Sequence, residues 1–166
     1  MSKSRGSVSR RGFLKAATGA TAGTTAGVAT GMMAMFGAAT PAVAAEMTAA
    51  ERANVQIVND FCAAWPSHDL AKVMAFFADN GAYRMTETTE LAKGREAVTA
   101  RVKTIIDRVD RFEVIETFAR GPMVINERID RFSNFQLKTW HGVGVFFIQG
   151  GKIVDWYDYT IAMERA

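Results

Sequence analysis

"NERIDRF", residues 126–132, decides how this chain folds and which of its faces lies inside. The run is strand-like, yet four of its seven residues are charged. Side chains alternate across a strand, so Asn126, Arg128, Asp130 and Phe132 share one face and Glu127, Ile129 and Arg131 the other. Whichever face turns inward takes a charge with it, and a buried charge is costly unless paired. Two readings stand: a solvated face with ordinary ion pairs, or an acid and a base set into a cavity.

The flanking sequence alternates in the same way. Residues 111–120, 123–133, 135–148 and 152–163 read as strands, with turns at Gly121-Pro122 and Gly150-Gly151. Before them the period is helical. Thr48-Ala49-Ala50-Glu51 is a capping box, and Val55, Val58, Phe61, Cys62 and Trp65 then recur three or four apart, up to Pro66. Asp69 caps a second helix with Leu70, Val73, Met74, Phe76 and Phe77 apolar. Asp79-Asn80-Gly81 is a turn, and "AYRMTE", 82–87, is a short strand. Gly94 opens a third helix carrying Val98, Val102, Ile105, Ile106 and Val109. Helices followed by a meander of long strands give an α+β fold. Three N-terminal helices pack on one face of a curved antiparallel sheet, and a pocket can lie between them.

Residues 1–44 read differently. Ser9-Arg10-Arg11-Gly12-Phe13-Leu14-Lys15 matches the twin-arginine export signal. An uncharged Ala/Gly/Thr/Met stretch follows, and Ala42-Val43-Ala44 is an A-x-A cleavage site. The expectation is a signal peptide over 1–44, a single domain over 45–166, the twin-arginine translocase as a partner during export, and a periplasmic or secreted product. The whole chain has a net charge of +3, but all five basic residues of 1–44 leave with the leader. The remaining chain has fifteen Lys and Arg against seventeen Asp and Glu, a net charge of −2. The basic character belongs to the leader, and no case for nucleic acid remains. One cysteine, Cys62, allows no internal disulfide, and two histidines are too few for a usual zinc site.

The C-terminal half resembles the limonene-1,2-epoxide hydrolase family, within the nuclear transport factor 2-like superfamily. The resemblance rests on Glu116-Thr117-Phe118, Glu127-Arg128-Ile129-Asp130 and "GVFFIQGGKIVDWYDY", 144–159. Tyr83 and the Gly94-Arg95-Glu96-Ala97-Val98 helix start match as well. It implies a cone-shaped domain with an internal pocket, a homodimer, a small lipophilic substrate, and neither cofactor nor metal. Residue by residue it implies Asp158 as general base, Asp130 as general acid and Arg128 as the bridge between them, with Tyr83 holding the attacking water. Epoxide opening by water needs one proton removed and one given, and two carboxylates in opposite protonation states supply both. A guanidinium can hydrogen-bond both in fixed geometry. On this reading the Asn126/Arg128/Asp130/Phe132 face is the inner one, and Trp156, Asp158 and Thr160 share the inner face of the last strand.

One position departs from the family. Met85 stands where an asparagine should help hold the water, and a thioether offers no amide. Glu87, two residues on, either takes that part or is a charge at the rim; Thr86 should point away. Met85, Glu87, Phe132 and Trp156 are candidates for the pocket wall. His141 reads as structural, His68 as exposed and Cys62 as packing. Two further functions suit such a domain. One is isomerisation or cyclisation, which needs a base near an acidic C–H and usually no arginine between two carboxylates. The other is binding of an apolar ligand without catalysis, for which Met85 is the best argument.

Overall fold

The capping box forms as the sequence predicts. The Thr48 hydroxyl accepts from the Glu51 amide at 3.2 Å, and the Glu51 carboxylate accepts from the Thr48 amide at 2.7 Å. Helix α1 then runs Ala49–Ala64 and buries Val58, Phe61 and Cys62. Trp65–Ser67 tightens into a 3₁₀ turn at Pro66, and His68 follows with φ 53°. The computed structural model describes residues 46–133 and 135–165. The expected export leader, residues 1–44, lies outside them.

Asp69 caps helix α2, Leu70–Met74. This helix is shorter than its apolar run suggests. Phe77 already opens strand β1, Phe77–Arg84, pairing with Ile153 near the other end of the chain. Asp79-Asn80-Gly81 is an irregularity inside β1 rather than a turn before it. Between the pairs Phe77/Ile153 and Ala82/Asp155 the register shifts, with β1 running longer than its partner. The strand ends at Arg84, so the alternation expected over 82–87 does not reach Met85, Thr86 and Glu87. Strand β2, Ala92–Lys93, pairs with β1.

Gly94, with φ 83°, is the N-cap of helix α3, Arg95–Lys103. The sequence pattern carried this helix on through Ile105 and Ile106 to Val109, which instead opens the next strand. It stops earlier, where Thr104-Ile105-Ile106 gives three β-branched residues in a row, and Ile106–Arg108 forms a 3₁₀ turn. Val98 and Val102 face the core.

Strands β3, Val109–Arg120, β4, Met123–Phe132, β5, Leu137–Gln149, and β6, Lys152–Arg165, form the meander. The sheet order is β2-β1-β6-β5-β4-β3. It is curved and not closed, with register shifts along β3–β4 and β5–β6 that favour bending. The sheet is antiparallel except at β1–β6, which run parallel. A parallel pair needs a long crossover, and helix α3 with strands β2 to β5 supplies it. Phe61 of α1 joins helices to sheet, its ring edge-on to Trp156 at 5.0 Å and to Phe77 at 5.6 Å.

Candidate active site

Strand β4 alternates in burial along its length, and Asn126, Arg128 and Asp130 are on the buried face. This face of NERIDRF turns inward with its charges, and Arg128 has 0 % exposure. On the other face Glu127 bonds His141 at 3.0 Å, and Arg131 bonds Glu113 at 2.8 Å. Asp158 is buried on β6. Strand β5 lies between β4 and β6, so Arg128 must cross it to reach Asp158.

It does so with one edge of its guanidinium. Nε donates to Asp130 Oδ1 at 2.9 Å, and Nη2 donates to Asp158 Oδ1 and Oδ2 at 3.0 and 3.1 Å. Nη2 also lies 3.5 Å from Asp130 Oδ2. Aromatic rings of Phe112, Trp140 and Trp156 surround the guanidinium at 4.8, 5.0 and 5.4 Å. Such stacking suits a planar, weakly hydrated cation better than an ammonium. Trp156 Nε1 donates to Asp158 Oδ1 at 2.7 Å. The indole is itself layered between the Tyr83 ring, 3.8 Å away and 9° from parallel, and the Phe146 ring at 5.4 Å and 12°.

The two carboxylates are not equivalent. Asp158 accepts from Arg128 and from Trp156, whereas the side-chain bonds of Asp130 come from Arg128 alone. Burial pushes both up, Asp130 to about 7 and Asp158 to about 6, with the Arg128 charge opposing in each case. The extra bond from Trp156 favours the charged form of Asp158 over that of Asp130. Burial alone would strip charge from Arg128, but Asp130 and Asp158 together raise its pKa and keep it cationic. Burial also raises Tyr83, with Asp158 adding to it, so the phenol stays protonated.

Arg128, Asp130 and Asp158 open onto a cavity of about 200 Å³ with an almost wholly apolar wall. Tyr83, Met85, Phe132 and Trp156 line it, as the sequence expected of the last three and as the place of Tyr83 requires. Glu87 does not line it. Its carboxylate accepts from the backbone amide and, at 3.2 Å, the hydroxyl of Thr160, tying the 85–91 loop to β6. Thr86, expected to point away, does line the cavity, because the chain has already left the strand. Sequence reasoning also passed over Trp140, Phe112, Phe135, Leu137 and Met163. Trp140 was findable: it sits directly across from Asp130 in the β4–β5 pairing, hence on the same face.

The remaining candidates have structural employment. His141 bonds Glu127, His68 Nδ1 meets the Ile106 carbonyl at 2.8 Å, and Cys62 is buried against Asn126. Burial pushes the Cys62 thiol up to about 12, which leaves it unreactive. Among the described residues no cluster of three or more His, Cys, Asp or Glu is arranged to hold a metal ion.

Comparison with solved structures places this geometry on a known scaffold. An LEH-like epoxide hydrolase of M. tuberculosis matches with TM-score 0.59 and 23% identity, over 67% of this chain and 84% of that one. SalBIII, an epoxide hydrolase/cyclase-like enzyme in pyran ring formation of the polyether salinomycin, matches with TM-score 0.61 and 17% identity, over 66% and 91%. A ketosteroid isomerase-like protein of Kribbella flavida matches with TM-score 0.58 and 14% identity, over 70% and 83%. These likenesses establish the fold. The SnoaL-like domain model matches residues 58–156, most of the described chain. By that match, and by a six-stranded curved sheet over three helices, the chain belongs to the SnoaL-like family of the nuclear transport factor 2-like fold.

Proposed function

We propose that this protein hydrolyses a small lipophilic epoxide to a diol by direct attack of water, without a cofactor. One observation carries the proposal: a single buried arginine, Arg128, bonds two buried carboxylates where they open onto an apolar cavity. In the resting site Asp158 is ionised and Asp130 protonated. Asp158 takes a proton from water as the water oxygen bonds to one ring carbon. The carbon–oxygen bond of the ring breaks, and the ring oxygen takes the Asp130 proton. Arg128 keeps its charge throughout and holds both carboxylates in place. A proton then passes from Asp158 to Asp130 through water to restore the starting state. Tyr83 offers its hydroxyl to the water. The apolar wall accepts the hydrocarbon part of the substrate and strengthens each charge interaction by excluding solvent.

The test is diol formation from a panel of small aliphatic and cyclic epoxides. Single turnover in ¹⁸O-water should place one label in the diol at the first cycle, as direct attack requires. A second reading is favoured by Met85 in the cavity wall: an exported protein that binds an apolar ligand without catalysis. Tight binding of apolar molecules with no diol from any epoxide selects that reading.

The proposal includes export by the twin-arginine pathway, supported by Ser9–Lys15 and Ala42-Val43-Ala44. It also includes a homodimer, for which exposed Ile115 and Phe118 on β3 and Ile161 on β6 are apolar surface to cover.

A further inference from the structure

Arg128 reaches Asp158 by passing over β5, and the residue it passes over is Gly144. Gly144 lies directly across from Asn126 on β4 and from Asp158 on β6. All three are buried on the inner face. A Cβ at Gly144 would stand 2.6 Å from Arg128 Nη1 and 3.1 Å from Asp158 Oδ1, and 2.6 Å from the Phe146 ring. The φ of Gly144 is not in the left-handed region, so the backbone does not demand glycine there. The demand is for space.

We propose that Gly144 is a positioning residue: its missing side chain is the gap through which Arg128 bridges β4 to β6. This rests on the proposed hydrolase reading for its catalytic consequence, but not for its geometry. Carbon and nitrogen atoms settle about 3.5 Å or more apart, so an alanine methyl must drive the guanidinium off by about 1 Å. Arg128 has no slack to give. Phe112, Trp140 and Trp156 surround it, and its Nε and Nη2 are committed to Asp130 and Asp158. Nη1, as near the missing Cβ as the Phe146 ring is, is buried with no hydrogen-bond partner. The guanidinium thus sets Nη1 against Gly144 and spends only the Nε–Nη2 edge on the carboxylates. Register, the near approach of Nη1 and the orphaned nitrogen all place the bridge over this one residue.

The experiment is a double-mutant cycle between Gly144→Ala and Arg128→Lys, read by thermal melting, with carboxyl ¹³C titration of Asp158 in each folded protein. Lysine has no Nη1, so the loss of melting temperature from Gly144→Ala should be smaller in the Arg128→Lys background, where only the contacts with Phe146 and Asp158 remain. In the single Gly144→Ala protein the Asp158 titration should move up, because Arg128 no longer sits on it. A misplacement of this size should lower kcat about 100-fold with KM little changed. An equal penalty in both backgrounds, or loss of the fold in both, overturns the assignment, as does an unmoved Asp158 titration in folded Gly144→Ala. Wild-type protein that turns over no epoxide, with the coupling still present, removes the hydrolase reading and leaves Gly144 in its role.

Discussion

Arg128 and Asp158 stand on strands that do not pair, yet Nη2 of the one lies 3.0 and 3.1 Å from the two carboxylate oxygens of the other. A buried ion pair is not evidence of stability, since removing two charges from water offsets most of their attraction. This one adds a second carboxylate, Asp130, which makes a surplus of acid around one base. A purely structural pair has no use for that surplus. A site that must give one proton and take another does.

Asp158→Asn and Asp130→Asn should each keep the fold while losing one proton-transfer role. The amide of Asp130→Asn mimics the protonated acid and leaves Arg128 neutralised by Asp158; Asp158→Asn leaves the Arg128–Asp130 pair. Each change should lower epoxide hydrolysis by at least about 100-fold. Melting temperature and turnover have to be measured on the same preparations. A folded Asp158→Asn protein with full specific activity refutes the assignment of the base.

Met85→Asn should hold activity steady or raise it. Met85 is half-buried in the cavity wall and packs on the core, so an amide there enters the same cavity as Tyr83 and the two carboxylates. It would supply a donor and a good acceptor to the attacking water, where the thioether supplies no donor and only a weak acceptor. The cavity also loses some apolar surface, so KM for large substrates should rise. Comparing kcat and KM separately distinguishes these effects. A fall in kcat with KM unchanged contradicts the argument.

The inner face of β4 was legible because β4 lies between two antiparallel neighbours, where alternation holds along its whole length. Alternation put Arg128 and Asp130 on one face together, and the family resemblance, not the alternation, chose that face as the inner one. The parallel junction of β1 with β6 had no local signal, since its partners Tyr83 and Trp156 are far apart in sequence. Nor was the end of β1 visible. Alternation was carried past Arg84 into the loop, and so misplaced Thr86, while Glu87 is exposed outside the cavity wall, as its reading as a rim charge had it. Gly144 was hidden for a different reason. Glycine in a strand reads as a bulge or a weak point, and only the packed structure reveals what occupies the space a methyl would fill.

Arg10→Lys with Arg11→Lys should leave an uncleaved precursor inside the cell. The expectation follows from Ser9–Lys15, in which Arg10 and Arg11 match the two arginines of a twin-arginine signal. Fractionation with immunodetection checks it. Export and cleavage near Ala44 in the double variant would remove the twin-arginine assignment and leave the domain's chemistry untouched.

Activity and stability should respond to pH in different ways, both set by the same two carboxyls. The proposed mechanism needs Asp158 ionised, above about 6, and Asp130 protonated, below about 7. The kcat/KM profile should therefore be a narrow bell between these limits, whose limbs belong to the coupled pair. For stability the direction follows from proton counting. Both groups ordinarily titrate at 3.8, and burial raises them in the folded protein. Between those values the folded state binds more protons than the unfolded one. Stability is then greatest below the unfolded value and declines as pH rises through 6 to 7, by up to about 1.4 kcal/mol per pH unit per carboxyl. Other carboxylates shift the opposite way: Glu51 is lowered by the Gly121 amide and Glu113 by Arg131, from an ordinary 4.5. They weaken the fold only as pH falls toward and below that value, and do not oppose the decline above it. Denaturant unfolding at about pH 5, 6 and 7 should show wild type losing stability across the series. Asp130→Asn, which has no proton to lose there, should lose markedly less. Parallel slopes in the two proteins would mean that Asp130 enters the folded state already ionised, and would take the general acid out of the mechanism.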